Sequence, residues 1–215
     1  PLEKLFEQTA RSQKAKVFRR DDKKYASHRR RAHLLNRETG VGVPFSGGMY
    51  RPLDEAAAAQ VRASSKVYME LPRNNEWKVG LDRFLPDEGT MRISIRAARS
   101  TEELKGDASL RLGFSAHTSN NANFSNVISE RDVPVKAPAG KPEFIHFDIQ
   151  LDDIQRNPFR KLETTCPRRD EFLHIRNVTL VDGLHVQFDH VEITAPFYAQ
   201  WPPKTHTAIF FESGN

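Results

Sequence analysis

From Val67 onward the chain alternates apolar and polar residues with a period of two, and this constrains its fold more than any other feature. A strand points successive side chains to opposite faces, so such a run makes a strand with one buried and one wet face. Val67, Met69 and Leu71 alternate with Tyr68 and Glu70. Met91, Ile93, Ile95 and Ala97 alternate with Arg92, Ser94 and Arg96. The same pattern holds at Leu110 to Phe114, Ile145 to Leu151, Leu173 to Ile175 and Val186 to Phe188. Asp87-Glu88-Gly89 and Ala137-Pro138-Ala139-Gly140 read as turns feeding two of these strands. Short strands joined by polar, Gly- and Pro-containing connections predict a mostly β chain, an antiparallel β-sandwich. No long helical pattern follows any strand, which argues against a doubly wound α/β fold.

The last strand breaks its own period. Val186 and Phe188 have one parity, and Val191 and Ile193 the other. One extra residue at Asp189-His190 would bring all four to the core, so a β-bulge is expected there, re-aiming Asp189. The chain is then expected to leave the sheet at Pro196 and run out through Trp201-Pro202-Pro203, because Pro-Pro cannot continue a ladder.

The N-terminal part is different in kind. Residues 1 to 38 hold 12 Lys/Arg against 5 Asp/Glu, so the basic character of the chain belongs to this arm. Leu2, Leu5 and Phe6 sit at helical spacing. Residues 1–40 are expected to form a basic, partly helical extension. The Gly- and Pro-rich stretch from Gly40 to Pro52 opens an irregular linker over 41–65, in which an Ala-rich segment can form a helical turn behind Asp54. The sandwich is then expected over 66–197, with 198–215 as an extended exit. The arm is interrupted by Asp21 and Asp22 and carries one aromatic, Tyr25, which argues against a nucleic-acid platform and for a solvated face or interdomain linker.

Several chemistries lack their residues. The single cysteine, Cys166, cannot form an internal disulfide, a CxxC knuckle or a haem attachment. No apolar run approaches the ~18 residues of a membrane span. Neither HExxH nor Gly-x-Ser-x-Gly occurs. His146 and His174 fall on strand exteriors, and Asp152-Asp153 point apart, so the residues indicate no enzyme.

The stretch VQFDHVEITAPFYAQWPPKTHTAIFF resembles the end of a β-sandwich in large multidomain proteins of planctomycete bacteria. Asp189, Val191, Glu192, Ala195, Pro196, Trp201, Pro202, Pro203, His206, Ile209 and Phe210 fit that pattern; His190 stands where a Trp is more usual. With the earlier strand-like segments, the resemblance covers about residues 66 to 211. It implies a carbohydrate-binding-module-like jelly roll inside an exported parent, between neighbouring domains. Cytochrome c domains of such parents lie elsewhere, and this segment holds no haem motif. The resemblance also implies that an acidic residue of the last strand, Asp189, could meet one of the first, Glu70, to hold a structural calcium.

A sugar-binding module of this kind needs a ring face for the sugar and amides for its hydroxyls. Trp77 beside Asn74 and Asn75 is the first candidate, and the loop of Asn120, Asn121 and Phe124 the second. Tyr198 and Trp201 are expected to pack the exit segment back on the sandwich or to contact the next domain. The expected function is therefore non-catalytic polysaccharide binding. The alternatives are an interdomain spacer without ligand and a hydrolase with an unrecognised site.

Overall fold

The structure is a computed structural model that describes residues 2–23, 26–64, 66–118, 123–163 and 170–199. It is mostly β, with two stacked sheets. The strands are β1 (Phe18–Arg19), β2 (His33–Asn36), β3 (Val41–Pro44), β4 (Gly47–Met49), β5 (Val67–Leu71), β6 (Glu76–Asp82) and β7 (Thr90–Arg99). They continue with β8 (Ala108–His117), β9 (Asn123–Val127), β10 (Val133–Val135), β11 (Glu143–Gln150), β12 (Glu171–Asn177) and β13 (Val186–Phe197). The larger sheet runs β1-β3-β2-β5-β13-β7-β11; the smaller runs β10-β8-β12-β6-β4, with β9 also on β8. The described pairings are antiparallel except β4 with β6.

The two inner faces are the apolar halves of the period-two runs. Met69, Met91, Ile93, Ile95 and Phe188 of the larger sheet meet Trp77, Leu110, Leu112, Phe114, Leu173 and Ile175 of the smaller. Each such side chain removed from water stabilises the fold by roughly 1.5–3 kcal/mol. The expected bulge is present. On β13, Phe188 pairs with Ala97 and His190 with Arg96, so Asp189 is the extra residue, and Val191 and Ile193 return to the core side. β13 reaches Phe197, one residue beyond Pro196, through a second register shift after Thr194.

The domain boundaries differ from expectation. Strands from the expected extension and linker are built into the sheets: β2 pairs with β5, and β4 lies on β6. These strands have two to four residues, too short for a period to show, and a neighbour's ladder stabilises them instead of their own sequence. Gly42 lacks a side chain where the Phe18 ring packs on it, so Phe18 is buried across from its partner in β3. Helix α1 (Leu2–Ser12) forms as its spacing predicts, and Leu2, Leu5 and Phe6 pack on the core. Ser64 Oγ donates to Glu3 Oε1 of this helix at 2.6 Å and accepts from Val67 N at 2.8 Å. A one-turn helix α2 spans Ala26–Arg29. In α3 (Glu55–Gln60), Asp54 caps the first turn by accepting from Ala57 N at 2.8 Å.

Candidate functional site

The outer face of the smaller sheet carries the polar halves of its strands in register. His174 lies opposite Lys78 on one side and Gly113 on the other. Phe172 lies opposite Gly80 and Ser115, and Arg176 opposite Glu76 and Arg111. Two connected groups result. Lys78 Nζ stands 3.9 Å from the centre of the Phe172 ring and 3.5 Å from His117 Nε2, and the His117 and Phe172 rings are 4.7 Å apart. A cation over a ring face is attracted by the ring quadrupole, which fixes Lys78 in place.

Beside this group, β4 forms a wall. Gly47 has φ +139 and comes so close to the Lys78 carbonyl that no Cβ would fit, and Gly80 leaves room for the Met49 side chain. The result is an open cleft of about 410 Å³, with Met49 supplying apolar surface over the buried Phe172 ring and Lys78, His117 and Asp170 supplying charge and hydrogen bonds. Met49 is 55% exposed.

The second group is a chain of hydrogen bonds across three strands. Ser115 Oγ is 2.7 Å from His174 Nε2, and His174 Nδ1 is 3.2 Å from Glu76 Oε1. Burial lowers the His174 pKa, with Glu76 opposing, so the imidazole is neutral near pH 7. These residue types suit a nucleophile and base, but β8 is paired on both sides of Ser115, to Phe172 and to Ser125. Its backbone is committed to the two ladders and gives no pair of N–H groups to an oxyanion. The chain instead presents alternating donors and acceptors on the face beside the cleft.

The expected sugar residues lie elsewhere. Trp77 is on β6 with its ring inside: it is 6% exposed, 5.6 Å from the Phe188 ring and 6.1 Å from that of Tyr50. The expectation of an exposed stacking ring is corrected, because Trp77 has the inward parity of Val79 and Leu81. Asn74 has φ +61 and, with Asn75, forms the turn into β6. The Asn75 amide is spent on the Arg30 and Arg73 carbonyls, at 3.0 and 3.1 Å. Phe124 is half-buried on β9 opposite Ala116; Asn120 and Asn121 lie outside the described residues. Tyr198 is 47% exposed, and Trp201 lies outside the described residues, as do Tyr25, Cys166 and His206. Sequence reasoning missed Lys78, His117 and Phe172. The alternation in EWKVGLD was the available signal, hidden because Asn74-Asn75 reads as a loop.

The two carboxylates expected to share a calcium each have other partners. Arg96 Nη1 is 3.4 Å from both oxygens of Asp189, and Arg37 Nη2 is 4.0 Å from Oδ2. Burial pushes the Asp189 carboxyl up, with the two arginines opposing. Glu70 Oε1 accepts from His185 Nδ1 at 2.9 Å and Oε2 from Gln187 Nε2 at 2.8 Å. Ca²⁺ needs six to eight oxygens, whereas these carboxylates face guanidinium, imidazole and amide donors, so the pair does not fit the ion. Among the described residues no group of three or more His, Cys, Asp and Glu is arranged to hold a metal.

Glu70 makes stability depend on acid. Burial alone would raise its pKa, but the hydrogen bond from His185 and nearby positive charge outweigh it and hold the group at about 2, against 4.5 unperturbed. A depressed folded pKa contributes stability above pH 4.5 that is lost as pH falls toward 2. His33, lowered chiefly by burial, acts in the same direction below pH 6.5. Asp189, raised, acts in the opposite sense as pH rises past 3.8. The melting temperature is therefore expected to fall on acidification, and Glu70→Gln to flatten the part below pH 4.5. An unchanged slope in that variant would refute the assignment.

The fold thus defines a two-sheet β-sandwich with a polar cleft on one face. No family model and no curated protein matches this sequence. Among solved structures, the chain is similar to the CBM22-1 xylan-binding domain from Paenibacillus barcinonensis Xyn10C, at 11% identity and a TM-score of 0.38, over 63% of this chain and 76% of that one. It is also similar to a family 16 carbohydrate binding module, at 9% identity and a TM-score of 0.33, over 63% of this chain and 81% of that one. No helix is long and apolar enough to cross a membrane, among the described residues.

Proposed function

We propose that this chain is a non-catalytic module that binds a polysaccharide in the cleft between β4 and the outer face of the smaller sheet. The observation that carries this reading is the combination lining the cleft. Exposed apolar Met49, which suits the C–H face of a sugar, stands beside Lys78, His117 and Asp170, which suit its hydroxyls. The Ser115–His174–Glu76 chain extends the hydrogen-bonding face alongside. The module belongs, on the resemblance of its last strand and tail, to a large exported planctomycete protein. Tyr198, which follows β13 and is 47% exposed, would contact a neighbouring domain.

Affinity electrophoresis and calorimetry against a panel of polysaccharides, xylan included, test this. Retention on at least one polymer is expected. Lys78→Ala and Met49→Ala are each expected to weaken binding about tenfold, which corresponds to about 1.4 kcal/mol. No retention on any polymer would leave the chain an interdomain spacer. Equal retention of both variants would move the site off this cleft.

A further inference from the structure

A second concavity, of about 500 Å³, lies where the N-terminal arm folds over the larger sheet. It is independent of the sheet-face cleft. Its floor is a row across three adjacent strands: His33 of β2 lies opposite Glu70 of β5, which lies opposite Gln187 of β13. His185 precedes β13 and joins the row through Glu70. The wall comes from the arm, as Arg20 follows β1 and Arg29 ends α2. The rim holds Ser100, Thr101 and the exposed carboxylate Glu103.

The hydrogen bonds these groups already make fix what each can offer. His33 Nδ1 lies 2.8 Å from the Arg31 carbonyl and must donate to it. In the neutral ring this leaves Nε2 as an acceptor, and it stands 3.8 Å from Glu70 Oε1, beyond hydrogen-bond reach. His185 Nδ1 donates to Glu70, which leaves its Nε2 as an acceptor in the neutral ring. Ser100 Oγ accepts from His185 N at 2.9 Å and Thr101 Oγ from Glu103 N at 3.2 Å, so each hydroxyl keeps its proton to donate. Arg29 Nη1 donates to the Arg20 carbonyl, one use of a guanidinium with five N–H donors.

The cavity therefore has a cationic wall, hydroxyl donors at the rim and imidazole acceptors with a carboxylate on the floor. A polyanion would be repelled by Glu70 and Glu103, which balance the two arginines, and an apolar ligand would leave these groups unsatisfied. A ligand with one carboxylate and several hydroxyls matches the arrangement, its carboxylate on the guanidiniums and its hydroxyls on Ser100, Thr101 and the imidazoles. We propose that the cavity enclosed by Arg20, Arg29, His33, Glu70 and His185 is a second saccharide site, selective for a uronic acid residue. The basic arm is then part of a binding site rather than a linker.

The test is calorimetric titration of the whole chain with galacturonate and glucuronate oligosaccharides, with neutral oligosaccharides of equal length as controls. The acidic oligomers are expected to bind, with an affinity that falls as salt is raised. Arg20→Gln and Arg29→Gln are expected to weaken that binding tenfold or more, and both variants are expected to stay folded at the titration temperature. Equal binding of acidic and neutral oligomers, or full affinity in both variants, would overturn the proposal. Lys78→Ala separates the two sites: if it abolishes uronate binding, the ligand sits in the sheet-face cleft and this second site falls while the first stands.

Discussion

Replacing Glu171 by alanine is expected to cost about 3–5 kcal/mol of stability, the usual cost of removing one partner of a buried ion pair. Glu171 and Arg156 have side chains 0% and 6% exposed, and they meet through two bonds, Nε to Oε1 at 2.9 Å and Nη2 to Oε2 at 2.7 Å. Asn157 N also donates to Oε1 at 2.9 Å, and Arg156 donates to the carbonyls of Pro86 and Leu85. The carboxylate thus ties two loops to the start of β12. Without it a guanidinium charge stays buried among carbonyls, with no anion to offset its desolvation. Urea unfolding measures the loss directly. A change below about 1 kcal/mol would mean that water reaches Arg156 and solvates it. The exposed Arg92–Asp148 and Arg111–Asp132 pairs have similar geometry, yet removing either carboxylate is expected to matter far less.

Trp77→Ala is expected to remove about 3–5 kcal/mol as well, for a different reason: it opens a cavity between the sheets that the neighbours cannot fill. The ring fills the space between Tyr50 and Phe188. The pattern of effects decides its role. A core residue lowers the unfolding midpoint in urea and leaves polysaccharide affinity of the folded fraction unchanged. A sugar platform would do the reverse, with stability kept and binding lost. The second pattern would refute the inward placement of the ring.

Six of the thirteen strands among the described residues could be read in the chain, because their residues alternate over five or more positions or sit in a short run of the same kind. The bulge at Asp189 could be read too, since a slip of one residue reverses every later side chain and so leaves a mark in the parity of Val186, Phe188, Val191 and Ile193. The α1 spacing and the Asp54 cap were legible for the same reason, as local rules with local signals. β6 does not stand out by its period although it alternates, because the Asn-Asn turn before it masks where the strand begins, and only the resemblance takes it in.

The sites were less legible. Trp77 looked exposed from its polar neighbours, and only its place on β6 showed which way the ring points. Lys78, His117 and Phe172 come from three strands, and strand order is set by the ladders between them, which leave no trace in spacing along the chain. The resemblance alone makes Glu70 and Asp189 a pair of ligands, and they do lie on adjacent strands. Their partners, His185 and Gln187 for one and Arg96 and Arg37 for the other, are fixed by register.

The sequence by itself determined that this chain is a β-sandwich, since period two and the turn residues act within a few positions of one another. Tertiary structure alone decided that the basic arm belongs to the sheets and which polar residues share a face. Those outcomes depend on contacts between residues far apart in the chain, where a two-residue strand such as β1 is held by its neighbour and not by its own preference.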